Sequence, residues 1–321
     1  MNKGKKWLIA LLTLVAVGLT VLLGLMLRFP RKWKLPWTPE YAETVYPVSA
    51  DFRHIKVNGD TEKILFARST DGSCRVECYE DKDHPHTVTV RDNSLLIERD
   101  RHKRKWRFMN GFLSEQIITV YLPEAVYETL SIEGATGDTE IPAELTFDSI
   151  SVSLDTGDVS CQASARKDID LKTDTGDVTV SAVMADSLTL SSDTGRIEAS
   201  DIGVNKELTI DQDTGKTVLQ NVICGSLTAT GDTGKFELTN LLASGAVSIT
   251  TDTGAIELQL CDAATLSLGT NTGDISGTLL SDKTFLTESD TGKINVPKTT
   301  IGGSCTLTTV TGDITIKIVS Q

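Results

Sequence analysis

Aromatic residues are scarce, 5% of 321, while Thr, Ser, Asp and Gly crowd the second half of the chain. That balance disfavours a helical or α/β core and suits many short strands joined by turns. An excess of positive charge is also missing. The formal net charge is −13, so general nucleic-acid binding is not expected. The acid is concentrated: from Ala135 onward there are 27 acidic and 11 basic side chains, and the part before is mildly basic. Ligand spacing is absent as well. His54, His84, His86 and His102 are scattered, and Cys74, Cys78, Cys161, Cys224, Cys261 and Cys305 form no metal-binding pattern. If Cys74 and Cys78 share one strand they stand about 13 Å apart, beyond the reach of a disulfide. All six cysteines read as small apolar fillers.

One long uncharged run exists, "WLIALLTLVAVGLTVLLGLML" at 7–27. At about 1.5 Å per residue it spans a hydrocarbon core of roughly 30 Å. No Ala-x-Ala-like cleavage site follows, so the expectation is an uncleaved transmembrane helix behind a short N-terminal tail, 1–6. Lysines and arginines flank it on both sides, which leaves the positive-inside rule undecided; a body outside the cell is the expected orientation. Residues 28–44 carry three prolines and read as a stiff linker. Residues 45–130 show strand-like runs, "HIKV", "KILFAR", "CRVECY" and "IITVYLP" among them, and are expected to form a β-rich N-terminal cap.

From 131 to 321 the chain repeats. Thr-Gly recurs with glycine at 137, 157, 176, 195, 215, 234, 254, 273, 292 and 312, at gaps of 19 or 20. Positions seven and five before the glycine are mostly apolar, as in Leu188 and Leu190; so are positions two and four after it, as in Ile197 and Ala199. Spacing of two on both sides of a turn means strand, turn, strand, each with one buried face. A further apolar position near seven after the glycine (Val183, Ile202, Val222, Leu241, Leu280) fits a third corner. The fold expected is all-β: a single-stranded β-solenoid of about ten coils of roughly 19 residues, stacked at about 4.8 Å into a rod of roughly 45–50 Å. The C-terminal run "DITIKIVSQ" stands as the far end of that stack with no evident cap; either Lys317 blunts that edge or another chain covers it.

Asp-Thr-Gly, seen at 155, 174, 193, 213, 232, 252 and 290, is also the signature of aspartic proteases. Their chemistry needs two carboxylates sharing one proton in a cleft; seven equivalents on one edge single out no pair. The structural reading explains each letter: glycine for positive φ, Asp for an Asx-turn, and Thr for a stacked column. Asn271 in one unit keeps the turn chemistry and abandons the acid. Stacked carboxylates repel, so Asp155, Asp174, Asp193, Asp213, Asp232 and Asp252 form a candidate calcium edge; no other cofactor is expected. In "RDRHKRKWR", 99–107, Arg101, Lys103, Arg104, Lys105, Trp106 and Arg107 are candidates for contact with anionic lipid or an anionic envelope polymer.

The runs "IITVYLPEAVYETLSIEGATGDTEI" (117–141) and "LKTDTGDVTVSA" (171–182) resemble the bacterial putative-adhesin β-strand-repeat family over roughly 45–321. The resemblance implies a β-repeat domain with no established catalytic residues. Members with one N-terminal helix are associated with envelope stress. The expectation is therefore a non-catalytic, single-pass cell-membrane protein whose extracellular repeats serve as a binding or adhesion-like scaffold. Its partner would be a protein or an envelope polymer. The alternative is an accessory regulator of membrane-associated envelope-stress signalling, with the helix and the basic run as contacts.

Overall fold

The computed structural model describes residues 40–99 and 116–319. These contain 23 strands and no helix, so none is a helix long and apolar enough to cross a membrane. The expected membrane helix, 7–27, and most of the linker, 28–44, lie outside the described residues.

Successive repeats pair in parallel. β10 (Thr146–Thr156) lies between β8 (Val126–Thr136) and β13 (Asp168–Thr175), with Ile150 opposite both Leu130 and Ile169. After the corner, β11 (Val159–Cys161) lies likewise between β9 (Thr139–Ile141) and β14 (Val178–Ser181). Register follows the repeat, so each apolar position stacks on its own counterpart. The columns containing Leu188, Leu190, Ile197 and Ala199 are closed to solvent almost throughout. β17 (Ile197–Thr253) and β18 (Ile256–Thr272) carry the ladder through several coils. Ladder shifts near Ala243 and Leu258 fall on the side where 19- and 20-residue coils differ.

The first corner is set by backbone contact. Gly157 and Gly176 donate their N–H to Thr175 O and Thr194 O of the following coil, both at 2.9 Å. At Gly195 φ is 156°, and a Cβ there would meet Gly176 O at 1.9 Å. One expectation changes here. The glycine N–H that an Asx-turn would bind is given to the next coil instead. The corner threonines stack as a column, Thr156 beside Thr175 and Thr175 beside Thr194, with their side chains facing solvent. The hydroxyls that tie coil to coil sit three before the glycine, where strand alternation turns the side chain inward. Thr173 Oγ1 donates to Gly157 O and Ser192 Oγ to Gly176 O, each at 2.9 Å. A second corner lies six after the glycine, where Ala182, Asp201, Asn221, Asn240 and Leu260 hold φ between 53° and 56°. Asn and Asp tolerate this left-handed conformation best among non-glycines. Asn221 Nδ2 also donates to Asp201 Oδ1 at 2.8 Å.

The stack departs from sequence order at both ends. β22 (Gly303–Thr311) pairs with β18 on one side and with β20 (Lys283–Thr291) on the other. β23 (Ile314–Ile318) lies between β19 (Ile275–Leu279) and β21 (Ile294–Asn295). The last coil in sequence is therefore inserted between the eighth and ninth, and "DITIKI" is interior rather than the expected terminal edge. Composition explains the exchange. The inserted coil offers Cys305, Leu307, Ile314 and Ile316, all buried. The ninth has Thr287 in a core column and Pro297 just past β21, and threonine and proline suit an end layer.

At the other end, β2 (His54–Asn58) lies between β8 and β6 (Ser94–Arg99). β3 (Glu62–Arg68) pairs with β9 and with β7 (Gln116–Leu122). Two further parallel layers thus occupy the region expected as a cap, again out of sequence order. Asp60-Thr61-Glu62 occupies the layer position of Ala135-Thr136-Gly137, and Gly137 sits against Glu62 O. Antiparallel strands finish this end: β5 (His86–Arg91) on β6, β4 (Cys74–Asp81) on β7, and β1 (Tyr41–Val48) on β4.

Two stability measurements check this architecture. Gly195→Ala should lose about 3 kcal/mol or more, because both φ and the carbonyl contact forbid a Cβ. Gly203→Ala, whose nearest neighbour would be the Met184 side chain at 3.4 Å, should change stability by less than about 1 kcal/mol. Leu307→Ala should cost about 2–5 kcal/mol as an interior truncation, and Phe285→Ala less. The reverse order in chemical denaturation would mean that the coils stack in sequence order.

Candidate functional site

Asp155, Asp174, Asp193, Asp213, Asp232 and Asp252 all lie on the outer edge of the first corner, exposed. Desolvation, then Asp193 and Asp232, raises the Asp213 carboxyl above its ordinary value, the mark of a like-charged ladder. Asn271 Nδ2 relieves one step by donating to Asp252 Oδ1 at 3.0 Å. The neighbouring Asp column, one after the glycine, has a different task. Asp138 Oδ1 accepts from Asp158 N at 3.0 Å, and Asp158 Oδ1 from Asp177 N at 2.8 Å. Asp177 Oδ1 accepts from Arg196 N at 2.7 Å. These carboxylates staple coil to coil through backbone N–H groups, a strong class of hydrogen bond. The basic residues Arg101, Lys103, Arg104, Lys105, Trp106 and Arg107 lie outside the described residues.

The third side of the coils carries a feature that the repeat pattern only hinted at. Positions eight after the glycine point outward there: Met184, Gly203, Ile223, Leu242 and Asp262. Small residues at ten after it, Gly225, Ser244 and Ala264, leave a depression beside them. The result is an open groove of about 720 Å³ running across several coils. Met184 and Ile223 expose 62% and 65% of their surface, so the wall is apolar. At its end Lys283, almost wholly buried, donates to Asp262 Oδ1 at 2.7 Å.

A buried ionic cluster lies in the N-terminal end layers. Glu62 from β3, Glu80 and Cys78 from β4, and His86 from β5 are all closed to solvent. His86 Nδ1 is 2.6 Å from Glu80 Oε2, and its Nε2 is 3.3 Å from Glu62 Oε1. Arg99 from β6 donates to Glu62 Oε1 at 2.7 Å. Tyr46 on β1 donates to Glu80 Oε1 at 2.7 Å, and the N–H of His86 donates to Glu80 Oε2 at 2.7 Å. Glu62 Oε2 accepts the N–H groups of Asp60 and Thr61. Burial by itself would raise Glu62; His86, the Asp60 N–H and Arg99 outweigh it and hold the carboxyl at about 2. Burial also works against Glu80, whose hydrogen bonds from His86 and Tyr46 keep it below the ordinary range. The Cys78 thiol is pushed up to about 12 by burial, then by Glu80 and Glu62.

The family model described as Toastrack DUF4097 matches residues 52–317. The chain belongs to this family. Comparison with curated protein sequences finds no match. Solved structures of similar extent exist. A protein described as a "putative adhesin" from Bacteroides fragilis shares 19% identity at a TM-score of 0.39, over 87% of this chain and 97% of its own. Another of that description from Parabacteroides merdae gives 12% and 0.46, over 87% and 96%. A "putative lipid binding protein" from Parabacteroides distasonis gives 12% and 0.44, over 88% and 98%. Values this low carry no argument about function.

Within the Toastrack region, neither groove nor cluster was found from the sequence. The cluster's sequence trace is Cys78-x-Glu80 on one face of β4 with His86 just beyond the turn, too short a pattern to stand out. Glu62 and Arg99 join it only through the layer order. Because the folded state holds Glu62 below its unfolded value, its contribution to stability is complete above about pH 4.5. It is lost as pH falls toward about 2. Acid titration of stability should therefore show a loss on the order of 3 kcal/mol in that window, absent in Glu62→Gln; an unchanged profile in this variant would refute the assignment.

Proposed function

We propose that this chain is a non-catalytic, membrane-anchored cell-envelope protein whose stacked coils form a binding, adhesion-like scaffold outside the cell. The observation that supports this reading is the groove of the third side. A continuous apolar strip with Met184 and Ile223 turned to solvent marks a surface suited to contact. The parallel ladder beneath holds that strip rigid, so little conformational entropy is lost when a partner binds. The run 7–27 supplies the anchor, and the basic run 99–107 suits an anionic surface. The Asp edge, repeated and exposed, serves solubility and spacing rather than catalysis.

Retention of the full-length protein on isolated envelope material at physiological salt tests the proposal. Wild type should be retained. Ile223→Asp with Met184→Asp should lower retention at least tenfold, with a melting temperature within a few degrees of wild type because both side chains are exposed. Equal retention of wild type and variant would remove the groove from the reading. Retention that persists without residues 131–321 would favour the alternative, an accessory regulator that acts through its helix and basic run.

A further inference from the structure

We propose that Cys78, Glu80 and His86 form a structural site for a divalent cation of the zinc class, one that pins β4 and β5 together at the end of the stack. One sulfur, one carboxylate oxygen and one imidazole nitrogen from these residues lie within 4.8 Å of one another, and all three residues are buried. A tetrahedral zinc ion with bonds of about 2.0–2.3 Å sets its ligand atoms roughly 3.3–3.8 Å apart. Side-chain shifts of about 1 Å would close the three around an ion. Thiolate together with imidazole selects zinc over calcium or magnesium.

Two independent observations point the same way. His86 Nε2 is buried and makes no hydrogen bond, although Glu62 Oε1 lies 3.3 Å from it. The approach has the distance of an ion pair without the direction of a hydrogen bond. With the ion on Nδ1, which now faces Glu80, Nε2 carries the hydrogen and turns it toward Glu62. That is the carboxylate–histidine–metal arrangement that orients ligating imidazoles. The second observation is charge. Among the described residues Arg99 pairs with Glu62, whereas Glu80 is held by the Tyr46 hydroxyl, the His86 N–H and the His86 ring, and a buried carboxylate without a full countercharge is costly inside a protein. A divalent ion that displaces the Cys78 thiol proton to solvent settles this. Ion and guanidinium then match two carboxylates and one thiolate. Glu62 and Arg99 act as positioning residues.

The test uses the full chain, purified without chelator and also unfolded and refolded with cobalt(II) or zinc(II), since a buried site is filled during folding. One equivalent of zinc per chain is expected after dialysis. The cobalt form should show a thiolate-to-cobalt charge-transfer band in the near ultraviolet. Cys78→Ser should abolish the band and lower zinc affinity at least a hundredfold, whereas Cys161→Ser, at a buried cysteine outside the cluster, should keep both. If Cys78→Ser does not fold, the wild-type spectrum and metal content decide. A chain that takes up less than about a tenth of an equivalent and shows no band overturns the proposal, leaving His86 as a bridge between Glu80 and Glu62.

Discussion

The corner glycine is the constraint on which the rest of the structure depends. One coil's glycine carbonyl occupies the space that a Cβ of the next coil would fill, at 2.1 Å for Gly176 and 1.9 Å for Gly195. This contact fixes coil spacing and register together. Once the corners nest, strands on both sides must pair with their counterparts one repeat on, and the apolar columns follow. In five coils a hydroxyl three before the glycine (Thr173, Ser192, Thr270, Ser289 or Thr309) donates to the approaching carbonyl, and Gln212 does so in a sixth, so the close approach keeps these backbone groups satisfied. The glycine is thus required by tertiary contact as much as by its own φ.

A parallel stack has two ends, and each is a liability because unpaired strand backbone invites further pairing. The chain treats them differently. Antiparallel strands close the N-terminal end, and the Glu62–His86–Glu80 cluster sits where parallel layers meet antiparallel ones. Glu62 stands in the place of a corner glycine, and its carboxylate takes up two N–H groups of its own turn, so a new polar centre grows out of the repeat's geometry. At the C-terminal end the chain exchanges its last two coils. The apolar coil goes inside, and the coil with Thr287, Lys293 and Pro297 is left outermost. Exposure of Ile294, in a column closed in every other coil, is the consequence.

Surface chemistry follows from the same lattice. A repeat multiplies every residue into a column, so a single Asp-Thr-Gly tells little until its equivalents are seen. At one position the Asp column staples coils through backbone N–H groups; three residues earlier it is a solvated ladder whose members repel. The groove arises where columns break down. Glycine, serine and alanine replace larger residues on the third side, while Met184 and Ile223 keep their bulk beside them.

The sequence by itself determined the period, the all-β class, the inward columns and the corner, because these repeat ten times and each copy reinforces the others. Ile197 and Leu190 were legible as core from spacing alone. Only the tertiary structure decided the order of the coils, the second corner at Asp201 and Asn221, and the layers formed by 54–68 and by 94–99 with 116–122. Those layers lack the Thr-Gly mark, and their neighbours are distant in sequence. It also decided the assembly of Glu62, Cys78, Glu80, His86 and Arg99. Periodicity is a local property that short-range sterics impose on every coil. A polar cluster depends on which unlike strands come to lie side by side, and that is settled only when the ends of the stack close.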